Sequence, residues 1–285
     1  MEAIRIIRSV REMQKAANEM RESGQRIGLV PTMGSFHEGH VSLIRRARRI
    51  SDRVVVSIFV NPKQFGPGED FGSYPRDLEH DLSLVESAGA DVVYVPSVEE
   101  MYPKGYASYV AVEKVADHLC GASRPGHFQG VATVVTKLFA AAKPHLAVFG
   151  QKDGQQAVVV RRIVEDLNLD VDILVSPTVR EADGLAKSSR NAYLTVEERE
   201  AASVLFHALQ EAKAMVERGE RCAGVVIGAI RRLIAARRCA KLDYAEAVSW
   251  ADMQPVEALS GSVMIALAVR FREARLIDNL VLPGI

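Results

Sequence analysis

The sequence predicts an α/β protein, a parallel doubly wound sheet followed by a smaller α+β domain. Three observations lead there. Between residues 27 and 175, apolar runs of strand length alternate with stretches of helical periodicity, the order expected of βαβ units. Within them, VVVSIFV at 54–60 is almost continuously apolar, as a strand covered on both faces requires. Beyond Val179 the pattern changes to two helical stretches and then three apolar segments, an α+β arrangement. The boundary falls near residue 178, giving predicted domains 1–178 and 179–285.

Taken in order, IGLV at 27–30 is a strand ended by Pro31, and Val41, Ile44, Ala47 and Ile50 then recur at helical spacing. The strand at 54–60 is followed by a helix marked by Leu78, Leu82 and Val85, and 91–95 is the next strand. Helix at 130–142, strand at 145–149, helix at 155–167 and strand at 171–175 complete the alternation. The later helices are predicted at 196–218 and 223–238, with Thr195 and Glu198 forming a capping box and Gly219 suiting a helix stop. Apolar segments near 242–248, 263–271 and 275–281 close the chain.

Composition narrows the functional classes. The 285 residues are 48% hydrophobic and 25% charged, ordinary for a folded globular protein of one large or two average domains. Lysine plus arginine and aspartate plus glutamate both number 36, so no global positive field gathers nucleic acid or anionic lipid. Met1 to Ser23 is charged every few residues, without the apolar core of a secretory leader. The longest strongly apolar run, 263–269, falls far short of the ~18 residues of a membrane span. Cys120, Cys222 and Cys239 lie far apart with no zinc-type spacing, as idle thiols in a reducing compartment do. The expectation is a cytoplasmic protein with no nucleic-acid or membrane partner.

Four polar constellations follow strands or sit near the boundary. In PTMGSFHEGH, Met33, Gly34, His37, Gly39 and His40 lie between the first predicted strand and its helix, where backbone N–H groups and the helix dipole favour an anion. Two imidazoles three residues apart can donate to phosphate oxygens as charge develops there; the zincin pattern spaces its histidines differently. In NPKQF, Asn61 and Gln64 offer neutral amides suited to hydroxyl and carboxylate groups, although Asn and Pro also make simple turns. In GQKDGQQ, Gly150, Lys152, Asp153 and Gln156 open a helix after a strand, so the lysine suits a phosphate, and the loop is no Walker motif. Lys187, Ser188, Ser189 and Arg190 place two cations and two hydroxyls in a polar loop. GASRPGHF, with Arg124 and His127, is weakly informative alone.

With PTMGSFHEGH, SIFVNPKQF, YPR, GASRPGHFQGV, FGQKDGQQ and DGLAKSSRNAYL in this order, the chain closely resembles the pantothenate synthetase family, the ATP-dependent pantoate:β-alanine ligases. The H-x-G-H element alone marks only a wider nucleotidyltransferase superfamily. The resemblance implies a Rossmann-like doubly wound parallel sheet with a smaller α+β C-terminal domain, Mg²⁺ as cofactor and a homodimer. It implies condensation of (R)-pantoate with β-alanine through a pantoyl adenylate, releasing pyrophosphate and AMP. Carried onto matching positions, it gives ATP to Met33, Gly34, His37, Gly39 and His40, with His40 as proton donor, and to Gly150, Lys152 and Asp153. The main chain near Val179 faces adenine, Lys187, Ser188, Ser189 and Arg190 close on the triphosphate, and Gln64, Gln156 and Asn61 serve pantoate. No residue is assigned to the metal; Asp81 is a speculative neighbour.

The family commonly has an acid at Gln151, an aromatic at Gly154, an apolar residue at Lys187 and methionine at Lys63. Gly154 is expected to cost up to ~1 kcal/mol of helix stability, and the other three shift local charge in the positive direction. Two alternatives compete: another adenylate-forming enzyme, including a truncated class I synthetase core, and a non-catalytic nucleotide-binding module. Zero net charge opposes a tRNA partner. The presence of both histidines, both glutamines, Lys152 and Arg190 opposes the module.

Overall fold

The computed structural model describes residues 4–284. Met1 to Ala3, the start of the segment read as lacking a leader, and Ile285, the end of the second predicted domain, lie outside the described residues. In chain order the elements are β1 (Arg5–Ile7), α1 (Val10–Glu22), β2 (Ile27–Thr32), α2 (Glu38–Arg48), β3 (Arg53–Ile58), α3 (Leu78–Ser87), β4 (Val92–Tyr94), α4 (Val98–Met101), α5 (Cys120–Ser123), α6 (His127–Ala142), β5 (Leu146–Gly150), α7 (Gly154–Asp166), β6 (Asp172–Ser176), α8 (Val196–Ala202), α9 (Val204–Glu217), α10 (Ala223–Ala235), β7 (Lys241–Ser249), β8 (Val263–Arg270) and β9 (Arg275–Leu282).

The chain divides into two compact units. The first comprises Met1–Val112, Arg124–Gly150 and Val159–Pro177; the second comprises Glu113–Ser123, Gln151–Val158 and Thr178–Ile285. The second thus takes in two segments that precede residue 178.

The first unit holds the predicted sheet, six parallel strands in the order β1-β4-β3-β2-β5-β6. Val54, Val55 and Val56 of β3 are all fully buried, which accounts for that strand's unbroken apolar run. One core layer gathers Val30, Ile44, Val54, Val56, Val93 and Val148. Strand order reverses between β2 and β5, so their carboxyl ends flank the crevice where open α/β sheets bind ligands.

β1 and α1 carry no periodicity that marks them in the sequence. The helix buries only Met13, Ala16 and Ala17 beneath a highly charged surface, so its apolar stripe is too narrow to stand out by periodicity. Its start is fixed by Ser9, whose side chain accepts from the Glu12 amide.

The second unit builds its core from α8, α9 and α10 against the antiparallel sheet β7-β8-β9. The single helix predicted at 196–218 is broken at Ser203, between α8 and α9. Its hydroxyl donates to the Glu200 carbonyl at 3.1 Å, a local side-chain bond that competes with helix continuity.

The capping box is present. Thr195 Oγ1 accepts from the Glu198 amide, while Glu198 Oε2 accepts from the Thr195 amide and Oε1 from the Arg272 amide. Thr195→Ala is expected to cost about 1 kcal/mol in urea unfolding, the usual cap penalty. Glu198→Ala is expected to cost more, because it strips partners from two backbone donors.

Candidate active site

The loop leaving β2 is tied down before it reaches α2. Thr32 Oγ1 donates to the Ser57 carbonyl of β3 at 2.8 Å and accepts from the Gly34 amide at 3.2 Å. Asp81, on α3 and 2% exposed, accepts from the amides of Ser35 (2.9 Å) and Phe36 (2.8 Å). Burial pushes its carboxyl above the ordinary value, opposed by those two backbone donors. Gly34 has φ +84°, and a Cβ there would stand 2.8 Å from Asp81 Oδ2. Only glycine fits both the left-handed backbone and the carboxylate.

α2 then starts on His37, whose side chain is its N-cap. Nδ1 accepts from the Gly39 amide at 3.1 Å, so the ring proton resides on Nε2. The His37 and His40 rings lie 4.2 Å apart, and Phe36 lies 5.1 Å from His40. This produces an oriented imidazole pair at a positive helix end, able to donate to a tetrahedral anion.

The carboxyl end of β3 leads to Asn61 and the 3-10 turn Pro62–Gln64. Asn61 is 1% exposed; its Nδ2 donates to Gln64 Oε1 and to the Gly130 carbonyl, both at 3.1 Å. Its Oδ1 accepts from the Lys63 amide and from Tyr102 Oη at 2.8 Å. Burial pushes the Tyr102 phenol up, which keeps that donor protonated. Gln64 Nε2 donates to Met33 Sδ at 3.0 Å, so two of the predicted ligand segments meet within this unit.

GASRPGHF supplies the support for this turn. Arg124 forms two hydrogen bonds to Glu69 (2.7 and 2.6 Å), reaches the Gln64 carbonyl at 3.2 Å and lies 2.9 Å from His127 Nε2. A guanidinium only donates, so Nε2 accepts and Nδ1 donates to the same Gln64 carbonyl at 2.9 Å. Burial alone would raise the Glu69 carboxyl. The hydrogen bonds and charge of Arg124, with the Gly66 amide, outweigh it and hold the group at about 2. Sequence reasoning flagged Arg124 and His127 without a role and missed Glu69 and Tyr102, which carry no local signature.

In the second unit, Gln151–Asp153 is a 3-10 turn at the start of α7. Lys152 lies 3.7 Å from Asp153. The two neighbouring glutamines differ in surroundings. Gln155, 5% exposed, accepts from the Cys120 amide and donates to the carbonyls of Val115 and His118. Gln156 is half-buried on another face. Gln155 shares helical spacing with buried Val158 and Val159, and that spacing was the available signal for its structural role.

The loop from Val179 to Arg190 is closed by an Arg180–Ala186 bridge and by the Lys187 amide donating to the Val179 carbonyl at 3.0 Å. Lys187 Nζ pairs with Glu181 at 3.2 Å. Ser188 caps the 3-10 helix Ser189–Tyr193 by accepting from the Arg190 amide. Beside these residues, Thr178 Oγ1 and Asn191 Oδ1 are buried without a hydrogen-bond partner, a condition that a polar ligand would relieve.

The first unit therefore gathers Met33, Gly34, His37, Gly39, His40, Asn61 and Gln64 at the carboxyl edge of its sheet, with Gly150 ending β5. The second carries Lys152, Asp153, Gln156, Val179, Lys187, Ser188, Ser189 and Arg190.

A parallel sheet whose switch point bears an H-x-G-H helix start defines a class: α/β proteins with a helix N-terminus suited to an anion at the sheet's carboxyl edge. Comparison with known proteins is specific beyond that. The family model described as Pantoate-beta-alanine ligase matches residues 5–281. Pantothenate synthetase of Heliobacterium modesticaldum is 56% identical over 278 residues, 98% of this chain and 99% of that protein. The crystal structure of pantothenate synthetase from Thermus thermophilus superposes with TM-score 0.92 at 45% identity, covering 97% of this chain and 99% of that one. Pantoate-beta-alanine ligase from Francisella tularensis, solved with beta-gamma ATP and beta-alanine, gives TM-score 0.80 at 34% identity over 98% of each chain. The chain belongs to the pantoate–β-alanine ligase family, whose reaction is the ATP-dependent condensation of pantoate with β-alanine.

The depressed Glu69 carboxyl makes a pH prediction. A group lowered from 4.5 to about 2 adds stability that is complete above its unfolded value and lost as pH falls through that interval. Urea midpoints are expected to fall from pH 5 to pH 2, and Glu69→Gln is expected to flatten that slope while lowering stability at neutral pH.

Proposed function

We propose that this ligase works through a pantoyl adenylate, with the H-x-G-H turn as the phosphate-binding centre. The pantoate carboxylate attacks the α-phosphorus of ATP, the α–β anhydride bond breaks, and pyrophosphate leaves. The β-alanine amine then attacks the acyl carbon, the acyl–phosphate bond breaks, and AMP leaves. Neither step needs a protein nucleophile, so the protein aligns reactants and stabilises charge on the phosphate. The observation that carries this reading is the His37 cap, which fixes one imidazole with its proton on Nε2 at the positive end of α2.

In this assignment His37 and His40 donate to phosphate oxygens, with His40 the proton donor and Met33, Gly34 and Gly39 lining the nucleotide. Lys152 meets phosphate, Asp153 the ribose and the Val179 main chain the adenine, with Gly150 beside them. Lys187, Ser188, Ser189 and Arg190 close on the triphosphate, which asks Lys187 to leave Glu181. Gln64 and Gln156 recognise pantoate, and Asn61 acts by holding the Gln64 amide. Neutral amides bind the pantoate carboxylate without the tight ion pair that would blunt its attack. In this reading the predicted domain 1–178 binds nucleotide and pantoate, and the predicted domain 179–285 acts as a lid.

Among the described residues, no three His, Cys, Asp or Glu side chains group to hold a metal ion. They do not make a dedicated cage, and both Asp81 oxygens already accept backbone amides. Mg²⁺ is therefore assigned to the triphosphate rather than to a protein site, in keeping with its preference for phosphates plus few carboxylates. The proposal includes a homodimer in the cytoplasm. No helix among the described residues is long and apolar enough to cross a membrane.

The test is pantoate-dependent exchange of labelled pyrophosphate into ATP without β-alanine, with AMP appearing once β-alanine is added. Exchange that ignores pantoate, or AMP release only when all three substrates are present without exchange, would sink the adenylate. In the same assay, Gln64→Ala should raise the pantoate KM by on the order of tenfold, the loss of about one hydrogen bond. ATP affinity by calorimetry should remain near wild type; a parallel loss would contradict the assignment of Gln64.

A further inference from the structure

Two buried polar residues sit side by side on β9, remote in sequence from every motif. Asp278 is 2% exposed and Asn279 5%. Consecutive strand residues project to opposite faces, and each of these meets a different partner within the second unit. Asp278 takes the Arg180 guanidinium with two hydrogen bonds, 2.6 and 3.0 Å. Arg180 also donates to the Gly184 carbonyl at 3.0 Å and lies 4.9 Å over the Phe206 ring. The residue after Val179 is thereby fixed to the strand.

On the other face, Asn279 Nδ2 donates to the Gln151 carbonyl at 2.7 Å and to the Lys152 carbonyl at 3.0 Å. Its Oδ1 accepts from Gln151 Nε2 at 3.5 Å. Both N–H groups of one amide thus go to successive carbonyls of the turn that carries Lys152. A carboxylate of the same size could not do this, since it only accepts. The approach depends on Gly154, where a Cβ would stand 2.8 Å from Met264 Sδ and 3.2 Å from Asn279 Nδ2. Buried amides remain only where they are hydrogen-bonded, and here the bonds serve the 3-10 turn Gln151–Asp153.

We propose that Asn279 is a positioning residue for Lys152, and that with Asp278 it anchors both segments flanking the nucleotide in this unit to one strand. The inference rests on the reading that Lys152 meets a phosphate of ATP. Asn279 touches no substrate; it sets where the lysine's main chain lies, and a small displacement of a charged ligand is enough to slow a positioned reaction.

The test uses the full chain in the pyrophosphate-exchange assay with Asn279→Asp, Lys152→Ala and the double variant, each checked by thermal unfolding. Asn279→Asp is expected to raise the ATP KM or lower kcat by about tenfold, with the pantoate KM changed less than about twofold. In the Lys152→Ala background the same substitution is expected to have little further effect, because coupled residues are non-additive. Should Asn279→Asp be unfolded at the assay temperature, Gly154→Ala presses on the same amide from the other side and should reproduce the split between ATP and pantoate. If Lys152→Ala leaves ATP kinetics unchanged, the nucleotide reading fails and the positioning role falls with it. If Lys152→Ala is impaired while Asn279→Asp and Gly154→Ala behave as wild type, or their effects persist undiminished beside Lys152→Ala, the positioning role alone is overturned.

Discussion

Between β2 and α2 the chain must reverse within a few residues at the crowded carboxyl edge of a parallel sheet, exposing amides that no strand can pair. A single carboxylate from α3 takes two of them: Asp81 accepts from Ser35 and Phe36. That pairing fixes the exit of the turn, and with it the residue that caps α2. The imidazole pair and the Met33 contact to Gln64 all stand on this turn. An unpaired buried amide costs on the order of 1–3 kcal/mol, so losing Asp81 would loosen the whole edge rather than one contact.

The fold class was legible because it rests on periodicity. Strands covered on both faces announce themselves as runs such as Val54 to Val56, and the alternation with helices fixes a parallel sheet. Where periodicity is weak, legibility ended: α1 has too thin an apolar face, and the break at Ser203 depends on one hydroxyl bonding back to Glu200. The residues with candidate chemistry were legible as ordered motifs at strand ends. Their supports were not. Glu69, Tyr102, Asp278 and Asn279 act through tertiary hydrogen bonds, which leave no spacing rule in the sequence.

Gly154 shows how tertiary context changes the meaning of a propensity. Alone, a glycine at a helix start costs helix stability relative to alanine. Here the missing Cβ leaves room for Asn279 and Met264, which a Cβ would approach to 3.2 and 2.8 Å. Gln151 takes part in the same contact through its amide. Gln151 and Gly154 thus share one local arrangement around Asn279.

His37 illustrates a different economy. Its Nδ1 caps the start of a helix and its opposite nitrogen carries the proton, so one ring satisfies a folding requirement and keeps a donor on its far side. Asparagine, aspartate or serine would keep the cap but could not extend a donor from the far side of a ring. A replacement that keeps the cap therefore surrenders that donor, so folding and the proposed phosphate contact can be separated at this one position.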